Sequence, residues 1–256
     1  MTTLEAPRVV SLAERPDLET AMLEMEATWP EFIRPDPVVI TWAFERHAEH
    51  QLVVLDGDDV VARAATVPFC WDGDPETLPD TGWDEALRLS MLDTHDGRPL
   101  NTLCALEVAV VPGQRSRHLS GRTLAAVADN AREHGFRDVV VPVRPSRKHL
   151  VPEMPMDSYV ARTRDDGLPE DPWLRVHVRE GGQIIGVCPA SMTITGSLAQ
   201  WRDWTGLPFD TSGPVTVPGA LNPVEVSVEH DRAVYVEPNV WVRHRLDSFL
   251  TKGAPS

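Results

Sequence analysis

The chain has 256 residues and carries 39 acidic against 24 basic side chains, a formal charge of −15. Divided by about 150 residues per domain, that length gives between one and two domains, and one large α/β domain also fits; with 42% apolar and 25% charged content it excludes wholesale disorder and needs no disulfide staple. The negative balance argues against nucleic acid and against an anionic membrane surface as partners, because both require clustered Lys and Arg.

In chain order, Val9–Leu12 reads as a first strand. Asp17 caps a helix expected through about Thr28, with Leu18, Met22 and Met25 at helical spacing. Asp36-Pro37 opens a second helix, expected to run to about His50. Gln51–Leu55 and Val60–Phe69 flank the turn Asp56-Gly57-Asp58-Asp59, a hairpin pattern. An acidic loop, Trp71–Gly82, leads to a helix over Trp83–Thr94. Thr102–Val111 is an apolar strand, Leu119–His134 a strong helix ended by Gly135, and Val139–Val143 a strand. Arg144–Met156, rich in Pro and basic residues, reads as irregular. Asp171-Pro172 opens a helix stopped by Gly181-Gly182; Ile184–Thr195 is mostly strand; Ser197–Trp204 is a short helix. Val224–Val228 and Ala233–Val236 are strands around His230-Asp231. The alternation favours one α/β domain over residues 1–256, with its cofactor motif in 1–150 and with 151–256 completing the sheet.

The three cysteines, Cys70, Cys104 and Cys188, form no C-x-x-C pair, so neither a disulfide framework nor a metal site is expected. The N-terminal MTTLEAPRVV lacks a basic segment followed by an apolar stretch. No apolar run approaches the roughly 18 residues of a membrane span. The expected location is therefore cytoplasmic. Only Lys148 and Lys252 are lysines, an Arg bias typical of a GC-rich bacterial genome.

The most informative segment is Leu106-Glu-Val-Ala-Val-Val-Pro112-Gly-Gln-Arg115-Ser-Arg-His118-Leu-Ser120-Gly121. A strand ends at Pro112, a polar loop follows, and a long helix begins. Free backbone N–H groups and the positive end of that helix meet beside Arg115 and Arg117, an anion site suited to a diphosphate. This arrangement resembles the Gcn5-related N-acetyltransferase (GNAT) superfamily: a strand ending Val110-Val111-Pro112, then Arg115-Ser116-Arg117-His118-Leu119-Ser120, then a helix, with a Gly135-Phe136 exit. Ser116 and His118 stand where that superfamily usually has glycine, and His118 narrows the loop. Pro142–His149 and Asp171–Gly182 look like a bacterial subgroup of unassigned substrate.

The resemblance implies an α/β fold with a mixed central sheet of about seven strands flanked by helices. It implies a coenzyme A thioester, acetyl-CoA as co-substrate, bound where two central strands splay apart. Val108, Ala109 and Val110 would hold the pantetheine arm; Arg115, Ser116, Arg117, His118, Leu119, Ser120 and Gly121 would hold the pyrophosphate, with Ser146 nearby. Many members are dimers, so a homodimer is an assembly the resemblance allows. The acceptor would be an amine of a small molecule, and the acidic surface favours a cationic one.

Acylating an amine requires removing a proton from the ammonium and giving one to the leaving thiolate. Glu107 lies inside an apolar strand, where a charge is costly unless used or paired. The resemblance makes it the base or the amine ligand. The usual acid of the superfamily, a Tyr four residues before a Gly, is replaced by His177, four before Gly181; Tyr159 is the substitute. Two other readings use the same fold: decarboxylation of a malonyl thioester, and acyl-CoA binding without catalysis.

Several further features have plain readings. His47 and His50 read as a solvated helix face. Arg144, Arg147, Lys148 and His149 form a basic cluster on a solvent-facing loop, with contact to coenzyme A phosphates as the alternative. Trp173, Trp201, Trp204 and Trp241 read as core. Glu237-Pro238-Asn239 closes a late strand that could line the acceptor cleft. Cys104, three residues before Glu107, should face the opposite side of an ideal strand as an inert thiol.

Overall fold

The Gly57 turn seeds the sheet. In the computed structural model, which describes residues 7–25, 29–113 and 119–246, β2 (Leu52–Asp56) and β3 (Asp59–Phe69) run antiparallel around it. Gly57 adopts φ +64°, a conformation that a side chain would strain. Before the hairpin come β1 (Arg8–Ser11), α1 (Glu19–Glu24) and α2 (Pro37–Arg46). Asp36 caps α2 by accepting the Val38 N–H, with Pro37 at the first helical position. After the hairpin follow α3 (Gly82–His95), β4 (Thr102–Val110), α4 (Leu119–Glu133) and β5 (Asp138–Val143). The C-terminal half holds α5 (Met156–Val160), α6 (Pro172–Arg179), β6 (Gln183–Gly196), α7 (Leu198–Thr205), β7 (Gly213–Val215), β8 (Val224–Ser227) and β9 (Arg232–Arg245).

The strands form one nine-stranded mixed sheet, β1-β2-β3-β4-β5-β9-β8-β7, with β6 along the other edge of β9. Among these pairings β4 with β5 is parallel, and α4 is the crossover between them. Alternation along the strands sorts the core to two faces. Cys104, Leu106, Val140 and Ala65 pack with α1, α2 and α3; Leu103, Ala105, Val108, Val139 and Val141 pack with α4, α5 and α6. Phe32, Trp201 and Tyr235 centre a third cluster under α7, and Gly206 ends that helix at φ +69°.

The mixed open sheet flanked by helices is the expected fold, with nine strands where about seven were expected; β7 and the short α5 are the additions. Some element bounds need correction. The first helix ends at Glu24, and residues 26–28 lie outside the described ones. The second ends at Arg46, followed by a 3-10 turn over Ala48–His50. The last strand continues through Glu237-Pro238-Asn239 to Arg245. Pro238 is tolerated there because β6 bulges opposite it, between Cys188 and Met192, so no ladder bond needs its missing N–H.

Asp138 and Arg243 tie the β5–β9 seam. The guanidinium donates to both carboxylate oxygens at 2.7 and 3.0 Å, both side chains are only 8% exposed, and Arg243 stacks over Trp71. Removing one partner of a buried pair leaves an uncompensated charge. Asp138→Ala is therefore expected to destabilise the fold by about 3–5 kcal/mol, lowering the thermal midpoint by roughly 6–20 °C. A calorimetric scan checks this; a shift under about 2 °C would refute the assignment.

Candidate active site

β4 and β5 pair only at Thr102–Asp138, Leu103–Val139 and Cys104–Val140. Beyond that point they diverge. The gap is a cleft of about 590 Å³ passing through the sheet, lined by Leu106–Val110 on one wall and Val141–Val143 on the other. Among the described residues, the β4 backbone groups that face β5 past Cys104 have no strand partner there. An extended ligand with amide groups can pair with them as an added strand does. Ser120 of α4 and Trp173 and Val176 of α6 border the cleft on one side of the sheet; Trp29, Pro30 and Gly219 border it too.

A bulge shapes the centre. β3 pairs Ala65 with Glu107 and Thr66 with Ala105, so Leu106 is the extra residue. It turns Glu107 to the same face as Cys104 and Leu106, the face of α1–α3. The expected opposition of Cys104 and Glu107 is thereby corrected: one inserted residue reverses the parity. Cys104 is nonetheless fully buried, and burial pushes its thiol well up. Burial also raises Cys188, to about 12.

Glu107 lines the cleft and is paired. Arg63 donates Nε to Oε2 at 2.8 Å and Nη2 to Oε1 at 3.1 Å, and the Trp29 indole N–H donates to Oε1. Arg63 also caps the end of α1 through the carbonyl oxygens of Met22 and Leu23. Oε2 thus keeps a lone pair for a ligand proton.

Val108, Ala109, Val110, Ser120 and Ser146 line the cleft as well. Leu119 is buried beneath the first turn of α4, and Gly121 packs toward the Glu180 carboxylate. Arg115, Ser116, Arg117 and His118 lie outside the described residues.

The two candidate acids are placed elsewhere. His177 is fully buried on α6 and does not border the cleft. Its Nδ1 lies 3.0 Å from His244 Nε2, and among the described residues its own Nε2 has no partner. Burial, aided by His244, holds its pKa well below 6.5. Tyr159 is buried under α5 and donates its hydroxyl to Asp171 at 2.8 Å; burial and that carboxylate raise its pKa. Asp171 in turn caps α6 through the N–H groups of Trp173 and Leu174, so Tyr159 serves a helix cap.

Other placements differ from expectation. His47 and His50 are buried, not solvated: His47 sits by Ser90 and Thr94, and His50 Nδ1 is 2.9 Å from Asn130 Oδ1. The basic loop is not wholly solvent-facing. Lys148 is fully buried and donates to the carbonyl oxygens of Val151, Pro152 and Leu221. Arg144 borders the cleft, paired at 3.0 Å with the fully buried Glu237, which Tyr235 also contacts. His149 borders the cleft too, and Trp173 both packs against the core and lines the cleft. Trp29, Arg63 and Trp83 escaped the sequence reading. Arg63 had a signal: like Glu107, it is a lone charge in an apolar strand run, Val60–Phe69.

A splayed parallel strand pair, a bulge that turns an acidic side chain toward the gap, and a helix starting near its end make a cleft that can take an extended ligand. The chain is 36% identical over 272 aligned residues to the arginine N-acetyltransferase avaD of Aspergillus versicolor, an alignment covering 91% of each. The loading GNATL domain of CurA from Lyngbya majuscula superposes with a TM-score of 0.62 at 16% identity, covering 95% of this chain and 100% of that one. The GphF GNAT-like decarboxylase, solved with isobutyryl-CoA, gives 0.58 at 17% identity, covering 94% and 100%. No family model matches the chain. The chain belongs to the GNAT superfamily, and it is an enzyme of the N-acetyltransferase type. The likeness to CurA and GphF is one of fold.

Proposed function

We propose that this chain transfers the acetyl group of acetyl-CoA to a nitrogen of a small cationic amine or guanidine, by direct attack on the thioester within one enlarged domain. The observation that carries the reading is the through-sheet cleft at the β4–β5 splay, with Glu107 turned into it by the bulge. The relation to an arginine N-acetyltransferase supports the acceptor class.

The unpaired β4 edge over Val108–Val110 would hold the amides of the pantetheine arm, with Ser120 and Ser146 beside it. The thioester supplies an activated acyl carbonyl. The acceptor nitrogen forms the new C–N bond as the C–S bond breaks; its proton passes to Glu107, directly or through water, and the thiolate takes up another. A free β4 N–H is placed to stabilise the developing oxyanion. His149 is the imidazole that borders the cleft, so it replaces His177 and Tyr159 as the proposed proton donor. The lack of an apolar span among the described helices fits a cytoplasmic enzyme, and the Arg bias fits a bacterial source.

The test is thiol release from acetyl-CoA with arginine, lysine and neutral amines. Release that depends on a cationic acceptor is expected. Absence of binding to any CoA thioester by calorimetry would sink the reading, and carbon dioxide release from malonyl-CoA without an acceptor would replace it with decarboxylation.

A further inference from the structure

A second cavity, of about 320 Å³, lies on the α1–α3 face of the sheet, the face to which Glu107 turns. Its walls are mostly apolar, with Val39, Leu87, Met91, Met192, Ile194 and the Trp83 ring beside a few charged side chains. It shares two features with the cleft. Trp83 lines the cavity and donates its indole N–H to the carbonyl oxygen of Leu106, the bulge residue in the cleft wall, at 3.1 Å. The segment that puts Trp29 and Pro30 on the cleft puts Ile33 to Asp36 on the cavity a few residues later.

Inside stands Asp84, in the first turn of α3. It is open to solvent. Its Oδ2 accepts the Thr193 N–H at 3.0 Å, and among the described residues its carboxylate has no cationic partner. Two cations, Arg34 and Arg88, line the same cavity, and each is engaged by another group. Arg88 is bound by Glu85 at 2.7 Å; Arg34 donates to the Glu31 carbonyl at 2.7 Å and stacks over Trp204. The other cavity carboxylate, Asp36, is used as the cap of α2. The walls around Asp84 raise its pKa, opposed only by the Thr193 N–H. A carboxylate held among apolar walls without a counter-ion favours a ligand that brings one.

We infer that this cavity is the acceptor-binding site and that Asp84 binds the cationic end, a guanidinium or ammonium carried on an aliphatic chain. The methylenes lie along Met91, Leu87 and Met192, and the planar guanidinium meets the carboxylate, a pairing for which its paired N–H donors suit it. The other end of the acceptor points past Trp83 toward the bulge. This inference rests on the proposed function only for the word acceptor; the cation site stands on its own geometry.

The test is calorimetric titration of the full chain with arginine and with citrulline, its uncharged analogue of the same shape. Arginine should bind and citrulline should bind at least about tenfold more weakly, one power of ten per 1.4 kcal/mol. Asp84→Asn keeps the acceptor for the Thr193 N–H, and should weaken arginine by a similar factor while its thermal midpoint stays within a few degrees. Met91→Trp, which adds bulk to the cavity lining two turns along α3 from Asp84, should weaken both ligands. If the Asp84→Asn midpoint falls further, Met91→Trp decides. Equal binding of arginine and citrulline, or arginine binding untouched by both substitutions, overturns the inference. Arginine binding that Asp84→Asn abolishes, in a protein that transfers no acetyl group, would keep the cation site and discard the proposed reaction.

Discussion

Glu107→Gln is expected to lower kcat/KM for acetyl transfer by about 10²–10⁴-fold, the usual contribution of a positioned general base. The amide keeps the shape of the side chain. Its oxygen can still accept from the Trp29 indole or from Arg63, so the wall of the cleft persists. It cannot accept the acceptor's proton at neutral pH. Arg63 loses its counter-ion but keeps the carbonyl oxygens at the end of α1, which limits the loss of stability to roughly 1–3 kcal/mol. The KM for acetyl-CoA should stay within a few-fold, because the cofactor meets the β4 backbone. Initial rates at saturating acetyl-CoA, with a thermal scan of the same sample, settle it. Activity within threefold of the parent would remove Glu107 from the proton path and leave it as the anchor of Arg63.

The second large effect is on stability in mild acid. Among the described residues four histidines are buried: His47, His50, His177 and His244. Burial lowers His47 and His244 from 6.5 to about 4, lowers His50, and holds His177 well below 6.5. In the unfolded chain each binds a proton near 6.5. Between about pH 6.5 and 4 the unfolded chain therefore holds more protons than the fold. Stability is full above that window and falls as the pH falls through it. For His47 and His244 the loss is about 3 kcal/mol each, and His177 adds to it, because charging it would bury an imidazolium in the core beside His244. Urea midpoints at steps from pH 7 to 4.5 should give a slope of roughly two to four protons. A flat profile over that range would mean that these rings are solvated in the fold.

The sequence carries the fold further than it carries the site, for physical reasons. The turn at Gly57, the cap-and-proline starts at Asp36 and Asp171, and the strand–loop–helix frame around Pro112 are local signals, and each produces its element. Features set by distant pairing are less legible. The bulge at Leu106 depends on β3, so simple alternation assigned Glu107 and Cys104 to opposite faces when they share one. Pro238 reads as a strand end, yet β6 bulges opposite it and β9 continues to Arg245. The spacing from Gly181 correctly picked out a histidine on α6, but helix rotation decides which side meets the cleft. That side carries Trp173 and Val176, while His177 turns to His244. Glu107 was legible because a charge in an apolar strand demands a partner. Arg63, its partner, carried the same signal in β3 but was missed, because its pairing with Glu107 depends on the β3–β4 register. Asp84 was hidden in an acidic stretch where one carboxylate looks like the next.

The central claim is that the β4–β5 cleft presents a thioester to Glu107. A crystal structure of the protein soaked with coenzyme A tests it most directly. The account predicts the pantetheine arm between Val108–Val110 and Val141–Val143, paired to the free β4 edge, with the sulfur near the Leu106 bulge on its way to the Glu107 face. Coenzyme A bound outside the splay, or lying in it with its sulfur directed away from that face, would contradict the account.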